Sequence, residues 1–229
     1  ANDPRNFVVK RMQAYSAIEN KNYAEGVKYM EELFGRTQDA SRILGDDYLY
    51  LGRAYSETGN DSLAVINITK AVKLDSTKVE ELATIGKKYF TNKDFVRAAP
   101  IFKTVVESNS KNPLLAMNYY YLGSAKYMNS KGEDRSKLVE ADSAFSKLLA
   151  VAPDYEVAHL YRARIARAVD GIDNKEAPKG LAIPFYEKYV ELVTVTKPEK
   201  AASATNGLVE AYNNLGAYAA ATDKEKAKE

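Results

Sequence analysis

The chain has 229 residues, 45% hydrophobic and 28% charged, which is enough apolar side chain for a continuous core and enough charge to solvate its surface. Its 33 basic and 31 acidic residues are well mixed and leave a formal charge of +2, so no electrostatic footprint for nucleic acid is present. With no cysteine and a single histidine, zinc sites of His/Cys type and Cys–His nucleophiles cannot be assembled.

From the N-terminus, residues 7–20 read as a helix and residues 23–34 as its partner, with Gly26, Met30 and Leu33 on the inner side. Next, Leu51, Gly52 and Tyr55 fall on one face of a helix, and Ala64, Ile68 and Ala71 on one face of a second. Between them Gly59 can supply a left-handed C-cap, and Asn60 or Asp61 an N-cap. The same places recur 34 residues later as Ile85, Gly86, Tyr89, Ala98, Phe102 and Val105. Lys93 stands where the turn glycine was, and Pro100 predicts a bend early in the later helix.

A third unit begins at Tyr119-Tyr120-Tyr121-Leu122-Gly123 and continues with Ala141, Phe145, Leu148 and Pro153. It is stretched by roughly nine residues, expected partly before Tyr119 and partly in the polar turn at residues 129–135. A fourth carries Ala158, Tyr161 and Ile165, then Ala182, Tyr186 and Tyr189, with a loop at about 170–179 that includes Gly171, Asn174 and Pro178. Leu208, Tyr212, Gly216, Tyr218 and Ala221 fit a last unit, ended early by the charged run at residues 223–226. Capping boxes are expected at Thr77-Lys78-Val79-Glu80 and Thr196-Lys197-Pro198-Glu199, and Asn112-Pro113 and Pro153-Asp154 punctuate other helix starts.

A 34-residue period of paired helices predicts stacked hairpins, because one hairpin cannot bury its own apolar face. The pattern of a large residue, Leu-Gly, Tyr, then Ala, Phe, Ala resembles the tetratricopeptide repeat; Tyr48, Leu51, Gly52, Tyr55, Gly59, Ala64, Ile68 and Ala71 carry it best. The resemblance implies an all-α, right-handed α-solenoid, a single array over 1–229 with repeats at about 6–40, 45–78, 79–112, 116–153, 155–195 and a partial 202–229. It also implies a non-catalytic scaffold that binds protein or peptide in a concave groove lined by the first helix of each unit. Carried over place by place, that groove holds Tyr50, Arg53, Lys87, Phe90, Tyr120, Tyr121, Tyr127, Met128, His159 and Arg167. Tyrosine gives contact area and a polar tip at low entropy cost, although it also packs between repeats. The Lys/Asn clamp that some family members use for a C-terminal carboxylate is absent in this register: the matching places hold Leu49, Arg53, Thr84, Met117 and Tyr121.

Catalytic and membrane signals are missing. His159 has no acidic partner one helical turn away, the adjacent pairs Glu31-Glu32, Asp46-Asp47 and Glu80-Glu81 read as solvated faces, and no phosphate loop is present. No metal, cofactor or nucleic acid is expected. The apolar runs at 65–68 and 148–151 are too short to span a bilayer. Two other readings stand beside the scaffold: a structural spacer that self-associates through its terminal repeats, and a surface glycan-binding module. The cysteine-free chain and the triplets Asp61-Ser62-Leu63, Asp75-Ser76-Thr77 and Asp142-Ser143-Ala144 lean towards an exported, periplasmic bacterial protein, with a cytoplasmic location left open. The missing initiator Met points to a segment of a longer protein or a processed form.

Overall fold

The computed structural model describes residues 4–108, 111–175 and 179–226. Among these there is no strand; they form eleven α-helices joined by short turns. The helices divide between two compact units. The first, residues 1–112, holds the hairpins α1 (Pro4–Glu19) with α2 (Tyr23–Phe34), α3 (Gly45–Glu57) with α4 (Asp61–Leu74), and α5 (Val79–Thr91) with α6 (Phe95–Ser108). The second, residues 113–229, holds α7 (Leu115–Ser130) with α8 (Arg135–Val151), α9 (Glu156–Asp173) with α10 (Ile183–Glu191), and α11 (Thr205–Lys226).

Within a hairpin, close approach rests on one small residue. Cβ atoms added at Gly86 and Gly123 would stand 3.0 Å from Ile101 and Phe102 and 2.9 Å from Phe145, and one at Gly52 would strike Ile68. Ala64, Ala98 and Ala141 are wholly buried, so the second helix is equally thin at the crossing. Ile68, Phe102 and Phe145 then fill the space beside it and are themselves buried.

The three hairpin turns of the first unit share one geometry. Lys21, Gly59 and Lys93 adopt left-handed φ values of 63°, 81° and 60°. In each, the next residue's N–H reaches back across the turn: Asn22 to Ala17 O, Asn60 to Tyr55 O and Asp94 to Tyr89 O, at 2.8, 2.8 and 2.9 Å. This is a Schellman cap. Its last residue doubles as N-cap of the second helix, since Asn60 Oδ1 accepts from Leu63 N–H and Asp94 Oδ1 from Arg97 N–H.

Several expectations are corrected. Helix α5 is not entered through a box at Thr77; Asp75 Oδ1 accepts from the N–H and hydroxyl of Thr77 at 3.0 and 2.7 Å, and a short 3₁₀ turn follows. At 196–199 there is also no box: residues 192–196 form a π turn, Pro198–Lys200 a 3₁₀ turn, and α11 begins at Thr205. Most of the stretch in the third unit lengthens helices, α7 and α8 having 16 and 17 residues against 13 and 14 in α3 and α4, while the connecting turn grows only from three residues to four. The last unit has no turn: α11 runs unbroken through Gly216 and through the charged run as far as Lys226. Helix α6 contains Pro100 within its span, as the sequence places it. Pro178 lies outside the described residues.

Two carboxylates read as unremarkable in the sequence are buried organisers. Asp47 is fully buried; its oxygens accept from Arg11 Nε and Nη2 at 2.8 Å each, from Tyr15 Oη at 2.8 Å and from Leu44 N–H at 2.7 Å. It is therefore not part of a solvated face. Asp170 folds the α9–α10 connection around itself, accepting from Asn174 Nδ2 and from the N–H groups of Lys179, Gly180 and Leu181.

Candidate interaction surfaces on the first helices

In the first unit the candidate residues lie on α3 and α5, and neighbouring first helices cross-link them. Tyr50 stacks face to face on Tyr15, ring centroids 3.9 Å apart, and donates its hydroxyl to Glu19 at 2.8 Å. That bond, with partial burial, raises the Tyr50 phenol above its ordinary range. The Arg53 guanidinium pairs with Glu81 of α5 and lies 5.7 Å from the Tyr50 ring centroid. The result is a continuous row of α1, α3 and α5 side chains. Lys87 and Phe90 are half-buried on α5, with Phe90 set edge-on to Phe95 at 5.3 Å.

The second unit gathers Tyr120, Tyr121 and Tyr127 of α7 with Tyr155 and Tyr161. Tyr120 has Tyr121, Tyr155 and Tyr161 at 5.6, 6.0 and 6.2 Å, and Tyr127 meets Tyr161 edge-on at 5.4 Å. Tyr161 in turn stacks on Phe145 at 4.9 Å, which ties the cluster to the core. Burial raises the phenols of Tyr155 and Tyr161 above their ordinary range. Tyr120, Tyr121 and Tyr127 are half-buried, and Met128 is 41% exposed.

His159 and Arg167 of α9 stand apart from those rings in their bonding. His159 Nε2 lies 3.0 Å from Pro153 O, so that nitrogen carries the proton and donates. Burial, with Lys188 and Arg162 nearby, lowers its pKa, and Nδ1 has no partner among the described residues. Arg167 donates to Asn214 Oδ1 of α11 at 3.2 Å.

A third group joins α9, α10 and α11. Arg164 grips Glu210 of α11 through Nε and Nη2, and Tyr186 donates to the same carboxylate at 2.9 Å. Burial pushes the Glu210 carboxyl up, yet these bonds outweigh it and hold the group below its usual range. Only the i, i+3 spacing of Tyr161 and Arg164 hints at this in the sequence; Glu210 lies 46 residues away. A cleft of about 540 Å³ lies beside Val8, Met12 and Tyr29, one of about 310 Å³ beside Val65 and Pro100, and one of about 430 Å³ beside Tyr155, Glu156 and Lys200, at the edge of the ring cluster.

Among the described residues no group of three His, Asp or Glu side chains could hold a metal ion, and no helix is long and apolar enough to cross a membrane.

Paired helices of this period, closed by a Gly/Ala crossing and, in the first unit, by Schellman turns, have the tetratricopeptide-repeat fold. The chain is similar to the C-terminal part of a TPR repeat-containing protein from Cytophaga hutchinsonii, with 27% identity and a TM-score of 0.58 over 97% of this chain and 79% of that one. It is also 28% identical over 108 residues to tetratricopeptide repeat protein 1 of Schizosaccharomyces pombe, a match that covers 47% of this chain and spans a tenth of that protein's length. A MamA structure aligns at 19% identity with a TM-score of 0.47, over 88% of this chain and 96% of that one. No family model matches the chain.

Proposed function

We propose that the chain is a non-catalytic scaffold that holds segments of other proteins against the first-helix faces of its repeats. The tetratricopeptide-repeat fold supports protein interaction as the general role. The observation that carries the finer reading is the ring cluster of Tyr120, Tyr121 and Tyr127, half-open to solvent and braced from behind by Tyr161 and Phe145. Rings fixed in this way lose little freedom when a ligand docks, and they offer apolar faces with hydroxyl rims. In the first unit Tyr50 and Arg53 present a comparable surface, with the Arg53–Glu81 pair able to open for a ligand carboxylate. Likeness to the Cytophaga hutchinsonii protein over nearly the whole chain supports a bacterial setting, as one part of a larger assembly.

The test is capture from cell fractions on immobilised protein, comparing the natural chain with Tyr121→Ala and with Arg53→Ala. A protein retained by the natural chain and lost with either variant, at unchanged helicity, supports the reading. Capture that survives both substitutions overturns the assignment of the surface.

A further inference from the structure

Tyr15 of α1 and Tyr50 of α3 are stacked more tightly than aromatic pairs usually are. Their ring centroids stand 3.9 Å apart with the planes 12° from parallel. Aromatic pairs ordinarily sit about 4.5–7 Å apart, offset or edge-on. The tyrosine pairs of the second unit keep to that habit: Tyr120 meets Tyr121 at 5.6 Å and 62°, and Tyr127 meets Tyr161 at 5.4 Å and 79°. The first pair also carries its own bases. Tyr15 Oη donates to Asp47 at 2.8 Å, and Tyr50 Oη donates to Glu19 at 2.8 Å. Asp47 lies one helical turn from Tyr50, and Glu19 one turn from Tyr15, so each phenol is served by the helix that carries the other ring.

This arrangement suits one-electron oxidation. Burial and the bond to Asp47 raise the Tyr15 phenol, and the bond to Glu19 and burial raise that of Tyr50, so both hold their protons at neutral pH. The Arg53 guanidinium, 5.7 Å from the Tyr50 centroid, disfavours a positive charge on that ring. An electron therefore leaves readily only if the phenolic proton leaves with it. A carboxylate within hydrogen-bond reach takes that proton as the charge departs. Glu19 is exposed and can exchange protons with water.

We propose that Tyr15 and Tyr50 form an oxidative cross-linking site, where a one-electron oxidant of the ferryl-haem or peroxyl-radical class joins them as dityrosine and staples α1 to α3. Each ring gives one electron to the oxidant and its phenolic proton to its carboxylate, leaving two neutral phenoxyl radicals face to face. A bond forms between one Cε carbon of each ring. The C–H bonds at those two carbons then break, and their protons pass to water. The two carboxyl groups return the phenolic protons to the oxygens and are carboxylates again. In sum, two electrons go to the oxidant, two protons go to water, and one C–C bond replaces two C–H bonds. Each ring covers a face of the other, so coupling within the pair outruns coupling to a second chain. With no cysteine in the chain, a covalent staple between these helices cannot be a disulfide.

The test oxidises the full chain, kept dilute, by flash photolysis of tris(bipyridine)ruthenium(II) with persulfate, which supplies a one-electron oxidant. Dityrosine fluorescence should appear in monomeric chain. Tryptic mapping should recover residues 12–21 joined to residues 43–53, with fragmentation placing the bond on Tyr50 and not on Tyr48. Tyr50→Phe should abolish that linked peptide. Glu19→Gln can still accept the hydrogen bond but cannot take the proton, and should cut the yield about tenfold at unchanged helicity. The linked chain should also unfold at higher urea than the unlinked one, because the bond restrains the unfolded state. Oxidation that falls mainly on other tyrosines, such as those around Tyr120, overturns the proposal. So does a yield that Glu19→Gln leaves unchanged, or a link that does not move the urea midpoint.

Discussion

The Arg11 guanidinium and the Asp47 carboxylate, one on α1 and the other on α3, meet in two parallel bonds of 2.8 Å inside the first unit. Asp47 is fully buried and the Arg11 side chain retains 13% of its exposure. The guanidinium also donates to Arg42 O and lies 4.9 Å from the centroid of the buried Phe7 ring. The pair locks the first hairpin onto the second, and each ion satisfies the other where water cannot.

Removing one partner leaves the other buried and unpaired, which costs about 3–5 kcal/mol, a large share of a typical domain's stability. Arg11→Met is therefore expected to lower the urea midpoint of the first unit strongly. Asp47→Asn should do nearly the same, and the double change Arg11→Met with Asp47→Asn should cost less than the two single losses added together. Additive losses in the urea series would show that the two side chains act separately.

Lys93 occupies the left-handed position that Gly59 fills in the preceding repeat. A side chain there costs about 1–2 kcal/mol, and glycine returns about 0.4–1 kcal/mol through its freer unfolded chain. Lys93→Gly should stabilise by about 0.5–1 kcal/mol, a rise in melting temperature of about 2 °C for a chain of this size. Gly59→Ala should move the midpoint the other way by about 1 kcal/mol. Calorimetry of the two variants checks both signs.

The hairpins were legible because their determinants are local and periodic: Gly52, Tyr55, Ala64 and Ile68 and their copies mark where two helices cross. Long-range polar partners were not. Nothing near Asp47 separates it from Asp46, since its role depends on Arg11, 36 residues earlier. The last unit misled for a physical reason. Gly216 mimics Gly59, but the turns at Gly59 and Lys93 are followed by Asn60 and Asp94, whose side chains cap the next helix, and Ala217 stands there instead. The helix therefore continues. Among the candidate surface residues, the structure brings Tyr120, Tyr121 and Tyr127 together, while the same contacts make them part of the packing between α7 and α9.

Acid should loosen the second unit through Asp170. Burial pushes its carboxyl up, but three backbone N–H groups and Asn174 outweigh this and hold it below the ordinary value of about 3.9. A depressed folded value means the stabilisation is fully present above about pH 4 and is lost as pH falls through the folded pKa. Asp170→Asn removes that term, so its melting temperature should fall less steeply than the natural chain's below about pH 4. Parallel acid limbs for the two proteins would show that the carboxylate carries no such term.

Two glycines on neighbouring helices should respond to alanine in opposite directions. Glycine in a helix costs up to about 1 kcal/mol relative to alanine, so either replacement gains something from the backbone. At Gly171, on α9, the added methyl meets nothing within 4 Å, and the gain stands at about 0.5 kcal/mol near the helix end. At Gly123, on α7, the methyl would lie 2.9 Å from Cε2 and Cζ of Phe145. That ring is wholly buried and stacked on Tyr161 at 4.9 Å, so it has nowhere to retreat. Overpacking of this kind costs about 1–3 kcal/mol and exceeds the backbone gain. Gly123→Ala should therefore destabilise the second unit by about 1–2 kcal/mol in urea, and Gly171→Ala should stabilise it slightly. A Gly123→Ala protein as stable as the natural one would mean that α7 and α8 can separate at their crossing without loss.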